Sequence, residues 1–397
     1  MQKKIIALAV AGLASTAAFA QTNVQIYGVF DYGYSYRWDN LLPNTVDSNS
    51  AFNGGQASGS RLGFKGTEDL GNGLKAVFLF EQGLSVDTSS GANTDASNTA
   101  NNTNKSGSNN STYTRQAYAG LSGNFGTLIG GRIYTPHYNL WQGAIDPFAA
   151  GTVGRFQNVM GGALGGDVVR VDNAVAYVSP SFGGFTVTGA YSNATNGSGS
   201  GLNESLDNGA DMKVYALLGQ YVAGGLNLGL NYHYARFEGQ SGLVSAGVQA
   251  KDTYNITFGG NYDFKFMKLH GAVAYNETSG NNGFNGNQNL EIMNYFLGFT
   301  VPVGKIDIKG SILLSDADQW GDATQFAIGA NYNLSKRTDI YTAYSYIDAD
   351  DTRTGATRVA GGATVGGLAP TVTGVADAGN SGFGMAQGFT LGLRHKF

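Results

Sequence analysis

Charged residues make up only 13% of this 397-residue chain, and several fall where strand alternation would turn them toward one face. Arg61 and Lys65 stand opposite Leu62 and Phe64, and Lys75 and Glu81 opposite Ala76, Phe78 and Phe80. Arg115 precedes the Ala117/Ala119 face, and Arg132 lies near the end of Thr127–Tyr134, which reads as a strand. The connection that follows offers Asp146 and Asp167 but also Arg155. Fixed charges of this kind break no bonds by themselves; around a narrow passage with low-dielectric walls they set a local potential that sorts ions. Catalytic chemistry finds less support. His137, His233, His270 and His395 occupy separate segments without metal-ligand spacing, and none pairs locally with a nucleophile. A hydrolytic site assembled from separate strands is the remaining enzymatic alternative. Gly161–Gly166 has the glycine density of a phosphate-binding loop but not its strand-to-helix setting. Asp348, Asp350 and Asp351 read as a solvated acidic rim, with a divalent cation as the alternative. No cofactor or resident metal is expected, and no basic tract with interleaved aromatics points to nucleic-acid binding.

The elements that must position these charges are strands. Tyr254, Ile256, Phe258, Gly260, Tyr262 and Phe264 alternate with small and polar residues. The same holds for Leu226, Leu228, Leu230, Tyr232 and Tyr234, and for Phe326, Ile328, Ala330, Tyr332 and Leu334. One face of each is apolar and ends in aromatics, and the other is small and polar. A soluble sandwich alternates in the same way, so periodicity alone does not separate the two.

Composition and connections go further. Residues 1–20 read as a secretory signal peptide: Lys3 and Lys4, the apolar run Ile5–Ala14, and Ala18-Phe19-Ala20 before Gln21. Without Lys3 and Lys4, 22 basic residues face 28 acidic ones, a formal net charge near −6. There is no cysteine, so an exported chain has no disulfide framework to rely on. Low charge with no helix-length apolar run fits a membrane β-barrel, in which apolar residues are diluted by lumen-facing ones; a glycine-rich secreted β-protein is the alternative. Short links (Gly71–Gly73, Gly123–Gly126, Pro180–Gly184, Ala223–Gly225, Asp263–Met267, Pro302–Gly304, Ser335–Arg337) alternate with long connections throughout. Seven short and eight long connections join about sixteen antiparallel strands, with short turns at one rim and long loops at the other. All six prolines are placed in connections. Of the three tryptophans, Trp38 fits an interfacial girdle, and Trp141 and Trp320 lie in or beside loops.

One long connection is unlike the rest. Asp87–Ser111 is almost wholly Ser, Asn, Thr, Gly and Ala and reads as solvated. Thr135–Asp167 instead carries Tyr138, Leu140, Trp141, Ile145, Phe148, Val153, Phe156, Val159, Met160 and Leu164. A connection this long with its own apolar surface is expected to fold into the barrel and narrow it. The last strand, Gly388–Phe397, must pair with the first, Val24–Arg37, to leave no open edge in lipid.

The chain resembles the general trimeric porins of Gram-negative bacteria, in their β-proteobacterial form. The likeness is carried by Val24-Gln25-Ile26-Tyr27-Gly28-Val29-Phe30-Asp31, by Ser60-Arg61-Leu62-Gly63-Phe64-Lys65-Gly66-Thr67-Glu68-Asp69-Leu70-Gly71 and by Arg115-Gln116-Ala117-Tyr118. Asp172-Asn173-Ala174-Val175-Ala176-Tyr177, Tyr332-Asn333-Leu334-Ser335-Lys336-Arg337-Thr338 and the terminal Leu393-Arg394-His395-Lys396-Phe397 continue it in order. The resemblance implies a transmembrane antiparallel barrel over residues 21–397 and a homotrimer in outer-membrane lipid and lipopolysaccharide. It implies periplasmic turns, extracellular loops and a third loop folded inward. Phe397 would then be read by the outer-membrane assembly machinery. The implied function is passive diffusion of small hydrophilic solutes and ions, with Arg61, Lys65, Lys75, Glu81, Arg115, Arg132 and Asp146 expected at the constriction; counting Arg61, Lys65, Lys75, Arg115 and Arg132 against Glu81, Asp31 and Asp146 there predicts a weak preference for anions. A substrate-selective porin, or an adhesin or receptor acting through loops such as Asp348–Gln387, are the alternatives.

Overall fold

The computed structural model describes residues 23–40, 48–87, 115–160, 169–193, 211–238, 249–281, 289–317, 321–350 and 385–397. The signal segment, Asp167, Gly161–Gly166, Trp320, Asp351, and most of Asp87–Ser111 and Asp348–Gln387 lie outside them. The wall begins with β1 (Asn23–Asn40), β2 (Ser48–Gly54), β3 (Arg61–Gly71), β4 (Leu74–Gly83), β5 (Gln116–Gly123) and β6 (Gly126–Tyr134). After the inward loop come β7 (Arg170–Val178), β8 (Phe185–Ser192), β9 (Asp211–Ala223), β10 (Leu226–Glu238), β11 (Gln249–Asp263) and β12 (Lys268–Asn281). The remaining segments are β13 (Leu290–Val303), β14 (Ile306–Asp316), β15 (Asp322–Asn333), β16 (Thr338–Ala349) and β17 (Met385–Lys396). Pro302, expected in a connection, is the penultimate residue of β13.

Seventeen segments make a closed sixteen-stranded antiparallel barrel, because β2 and β3 are two halves of one wall strand. β1 pairs with β2 through Tyr32–Trp38 and with β3 through Asn23–Val29. Between the halves, residues 55–60 leave the ladder, and Asp31 takes up their donors. Its carboxylate accepts from Ser58 N (3.0 Å) and Ala57 N (3.4 Å), while Ser60 Oγ donates to its carbonyl (3.0 Å). The barrel closes between β1 and β17. Gly28 and Phe397 exchange both backbone hydrogen bonds there, at 3.0 and 3.1 Å, so the last residue is part of the seam and no strand edge is left open.

Alternation sets the two faces. Val24, Ile26, Phe30, Leu217, Leu230, Phe258, Leu297 and Ile328 are exposed and point outward. Residues at the alternate positions, such as Ser35, Asn231, Thr257, Ala274 and Ala343, are buried on the inside. Trp38 stacks on Tyr36 with ring centroids 5.1 Å apart and lies 6.1 Å from Tyr344, an aromatic group at the long-loop end of the outer face. The connections keep the expected rhythm, short at every second junction from β3–β4 to β15–β16.

Candidate functional site: the loop-lined lumen

The apolar connection after β6 lies inside the barrel. It opens with Thr135, whose hydroxyl accepts from Tyr138 N and caps α1 (Pro136–Leu140), with proline at the first turn where no N–H is needed. A π-helical turn, Trp141–Ile145, and a short α2, Gln157–Met160, follow. Leu140, Trp141, Ile145, Val153, Phe156 and Val159 are almost fully buried. They form one cluster with Leu218, Ala274, Phe296, Leu313, Ala327 and Ala343 of the inner wall. The wall side mixes Ala274, Ala327 and Ala343 with the larger Leu218, Phe296 and Leu313, and Phe296 packs edge-on against the Trp141 ring. Polar wall residues fix the loop backbone: Asn261 Nδ2 donates to Ala144 O (2.6 Å), and Gln325 Nε2 donates to Gly154 O (3.0 Å). At its tip the loop reaches the break between β2 and β3, where Thr152 N donates to Gln56 O (2.6 Å). A Cβ on Gly151 would sit 2.0 Å from Ala57 O, so only glycine allows this approach. The loop thus follows the inner wall from β9 round to the break.

Beside its two ends is a cluster of guanidiniums and tyrosines. Glu81, 4% exposed, accepts from Arg115 Nε (2.9 Å) and Tyr27 Oη (2.9 Å), with Arg61 Nε at 3.9 Å. Arg61 also donates to Ser58 Oγ (2.7 Å). Arg115 Nη2 and Arg170 Nη2 both donate to Tyr134 Oη, at 2.6 and 3.2 Å. The Arg170 guanidinium lies 4.8 Å over the Tyr134 ring, and Tyr138 of α1 stacks on that ring at 5.1 Å. Lys65 extends the cluster toward the short-turn rim, exposed to the lumen with its ammonium 5.2 Å from the Tyr27 ring centre. A Cβ on Gly59 would meet Arg115 Nη1 at 2.6 Å, so glycine lets the broken strand pass beside the guanidinium. Among the described residues of this cluster, Arg61 and Arg115 share one carboxylate, Glu81, and Arg170 joins them through Tyr134.

The structure brings together four of the seven residues expected at the constriction: Arg61, Lys65, Glu81 and Arg115. Lys75 is elsewhere. It is the second residue of β4, paired with Asp69 and Ser122 beside the short turns, and it is exposed. Arg132 lies on the outer face: its row runs Ile26, Phe64, Phe80, Ala117, Arg132, and Ile26 is 61% exposed. There it pairs with Asp172, beside the register shift between β6 and β7. Asp146 turns into its own loop. Its carboxylate accepts from Phe148 N (2.9 Å), Ala150 N (2.9 Å) and Phe156 N (3.4 Å) and is 4% exposed. Burial pushes this carboxyl up to about 6, against the three donors that favour its charged form. Arg170, Tyr134 and Tyr138 are additions that alternation could not supply, since they sit at the two ends of the inward loop.

Known proteins match this architecture. A family model described as Gram-negative porin matches residues 7–352. Outer membrane porin protein 32 of Delftia acidovorans is 31% identical over the full length of both chains. An outer membrane porin protein of Bordetella pertussis is 31% identical over 87% of this chain and 94% of its own. Among solved structures, an anion-selective porin from Comamonas acidovorans superposes with a TM-score of 0.68 at 26% identity, covering 95% of this chain and 100% of the other. By fold, lumen and these likenesses together, the chain belongs to the Gram-negative porin family and is a channel of the outer membrane.

Proposed function

We infer that this pore passes small hydrophilic solutes with a weak preference for anions, selected where the inward loop faces Arg61, Lys65, Arg115 and Arg170. The observation that carries this reading is the gathering of three guanidiniums beside the loop, Arg61 and Arg115 on the Glu81 carboxylate and Arg170 joined to them through Tyr134. Two described acids of this region are engaged elsewhere: Asp31 holds the β2–β3 break and Asp146 holds the loop. Tyr27, Tyr134 and Tyr138 orient the guanidiniums, so that a passing anion meets donors already in place. Phosphate-like solutes and small anionic metabolites are the passengers this chemistry suits. The solved relative named as anion-selective supports the same sign.

Around that pore we place the rest of the assembly. Residues 1–20 direct export, and the short turns face the periplasm while the long loops face outward. Phe397, in the closing seam, presents the last strand to the assembly machinery, and the apolar outer face meets lipid and lipopolysaccharide. A homotrimer fits the outer face of β4–β8. These strands are 8–10 residues long, against 13–15 for β9–β13. Eight residues at about 3.4 Å each, tilted about 40°, rise roughly 21 Å, short of an apolar band of about 25 Å. The Arg132–Asp172 pair on this face also suits a protein neighbour better than hydrocarbon.

Reconstitution into planar bilayers tests both points. The full-length protein is expected to open by itself and to close in three equal conductance steps per inserted unit. A barrel that inserts without conducting would point to the adhesin or receptor alternative, and single steps would count against the trimer.

A further inference from the structure

The side of α1 turned away from the arginine cluster has a chemistry of its own. His137 meets His233 of β10 edge to face, with ring centroids 6.0 Å apart, and each is about 2% exposed. Trp141, one turn on, lies 6.3 Å from the His137 ring. Nε2 of His137, both ring nitrogens of His233, Nε1 of Trp141 and both polar atoms of Asn231 find no hydrogen-bond partner among the described residues. Asn231 and His233 are alternate residues on the inner face of β10, so these orphaned groups lie together where α1 meets the wall. Buried polar atoms are nearly always paired, and those that are not mark a site of strain, function or trapped water.

Among the described residues, no charge faces the two rings. The strands packed against α1 are β8, β9 and β10. Their inner faces present Ser192, Val214, Ala216, Leu218, Asn231 and Ala235, all buried and none ionisable. Their titratable groups are on the outer face by alternation: Tyr191, Lys213, Tyr215, Tyr221, Tyr232, Tyr234 and Arg236, with Asp252 of β11 bonded to Tyr234 there. On the loop, Tyr138 points to Tyr134 instead.

We propose that His137 and His233 form an acid-operated latch, which holds α1 on the wall while both rings are neutral and releases it into the narrow point when they gain protons. Two adjacent imidazoliums buried without a carboxylate repel each other and lose their hydration, and α1 is the side free to move. Burial, with His233 beside it, pushes His137 down to about 3. A depressed histidine favours the seated loop fully above its ordinary value near 6.5 and loses that contribution as pH falls toward 3. Asp146 works in the opposite sense. Its raised carboxyl favours the seated loop most below about 3.8, and that contribution fades as pH rises through 6. Acid therefore holds the half of the loop beyond Ile145 and frees the half before it, making Ile145–Asp146 the hinge. Because Tyr138 stacks on Tyr134, which binds Arg115 and Arg170, departure of α1 also disturbs the guanidinium cluster.

The inference rests on the reading that this loop narrows the conducting pore. The test records the full-length pore in planar bilayers at about pH 7 and about pH 2.5, on either side of the value near 3 to which His137 is pushed. Wild type is expected to spend at least about tenfold more time closed in acid. The double variant His137→Gln, His233→Gln should conduct like wild type at neutral pH and lose the acid response. An acid response retained by the double variant overturns the latch. So does a wild-type His137 whose C2-hydrogen exchange, followed by mass spectrometry, titrates near its ordinary value; this needs no variant to fold. A wild-type pore that does not conduct at neutral pH refutes the pore reading instead.

Discussion

Replacing Arg61 and Arg115 together by glutamine is expected to carry the zero-current potential of the pore from the anion side to the cation side. Two guanidiniums would be lost from the level where Glu81 is the one described carboxylate, and Glu81 would lose the partners at 2.9 and 3.9 Å. A unit charge about 8 Å from a permeating ion is worth roughly 2 kcal/mol at an effective dielectric near 20, enough to change relative permeability several-fold. Charges exposed to water are screened within about 8–10 Å at physiological salt. The control is the same double change at Arg353 and Arg358, between β16 and β17. It should shift the potential much less. If it shifts it more, the selecting charges are not those beside the loop.

The second large effect is expected at Trp141. Its side chain is fully buried, stacked on Phe156 at 4.5 Å and edge-on to Phe296 at 5.6 Å. It is the contact through which both halves of the loop and the wall meet. Trp141→Ala should cost about 3–5 kcal/mol of local packing. The barrel, held by its ladders, should still assemble, so the loss falls on the loop. Single-channel conductance should change and its noise should rise, and proteases should cut near residues 141–160 where wild type resists. A variant indistinguishable from wild type in conductance and protease resistance would show that the loop is not held by this cluster.

Much of this architecture is legible in the sequence because a barrel wall imposes period 2 and its rims impose alternating connection lengths. The apolar content of Thr135–Asp167 likewise announces a packed loop, since Trp141, Phe156 and Leu140 need a wall to cover them. The details that escape are those decided by bulges and by loop backbone. Alternation assigns Arg132 to a face but does not say which face is the lumen. Asp31 and Asp146 look like lumen acids by type, yet the backbone N–H groups of residues 57–58 and 148–156 claim them. Lys75 sits on the inner face but beside the short turns, because strand position sets height as alternation sets side. Arg170 and Tyr134 meet only because the loop brings its two ends together. The His137–His233 contact joins positions almost a hundred residues apart, and no local spacing foretells it.

The most direct test of the selecting role given to the loop-facing cluster is the sign of the zero-current potential of the wild-type pore in a potassium chloride gradient. The two ions have nearly equal mobility, so the sign reports the fixed charge at the narrow point. The arrangement of Arg61, Lys65, Arg115 and Arg170 beside the loop predicts a modest potential of the sign that chloride permeation gives. A potential of the opposite sign, from an open and stable channel, would contradict it.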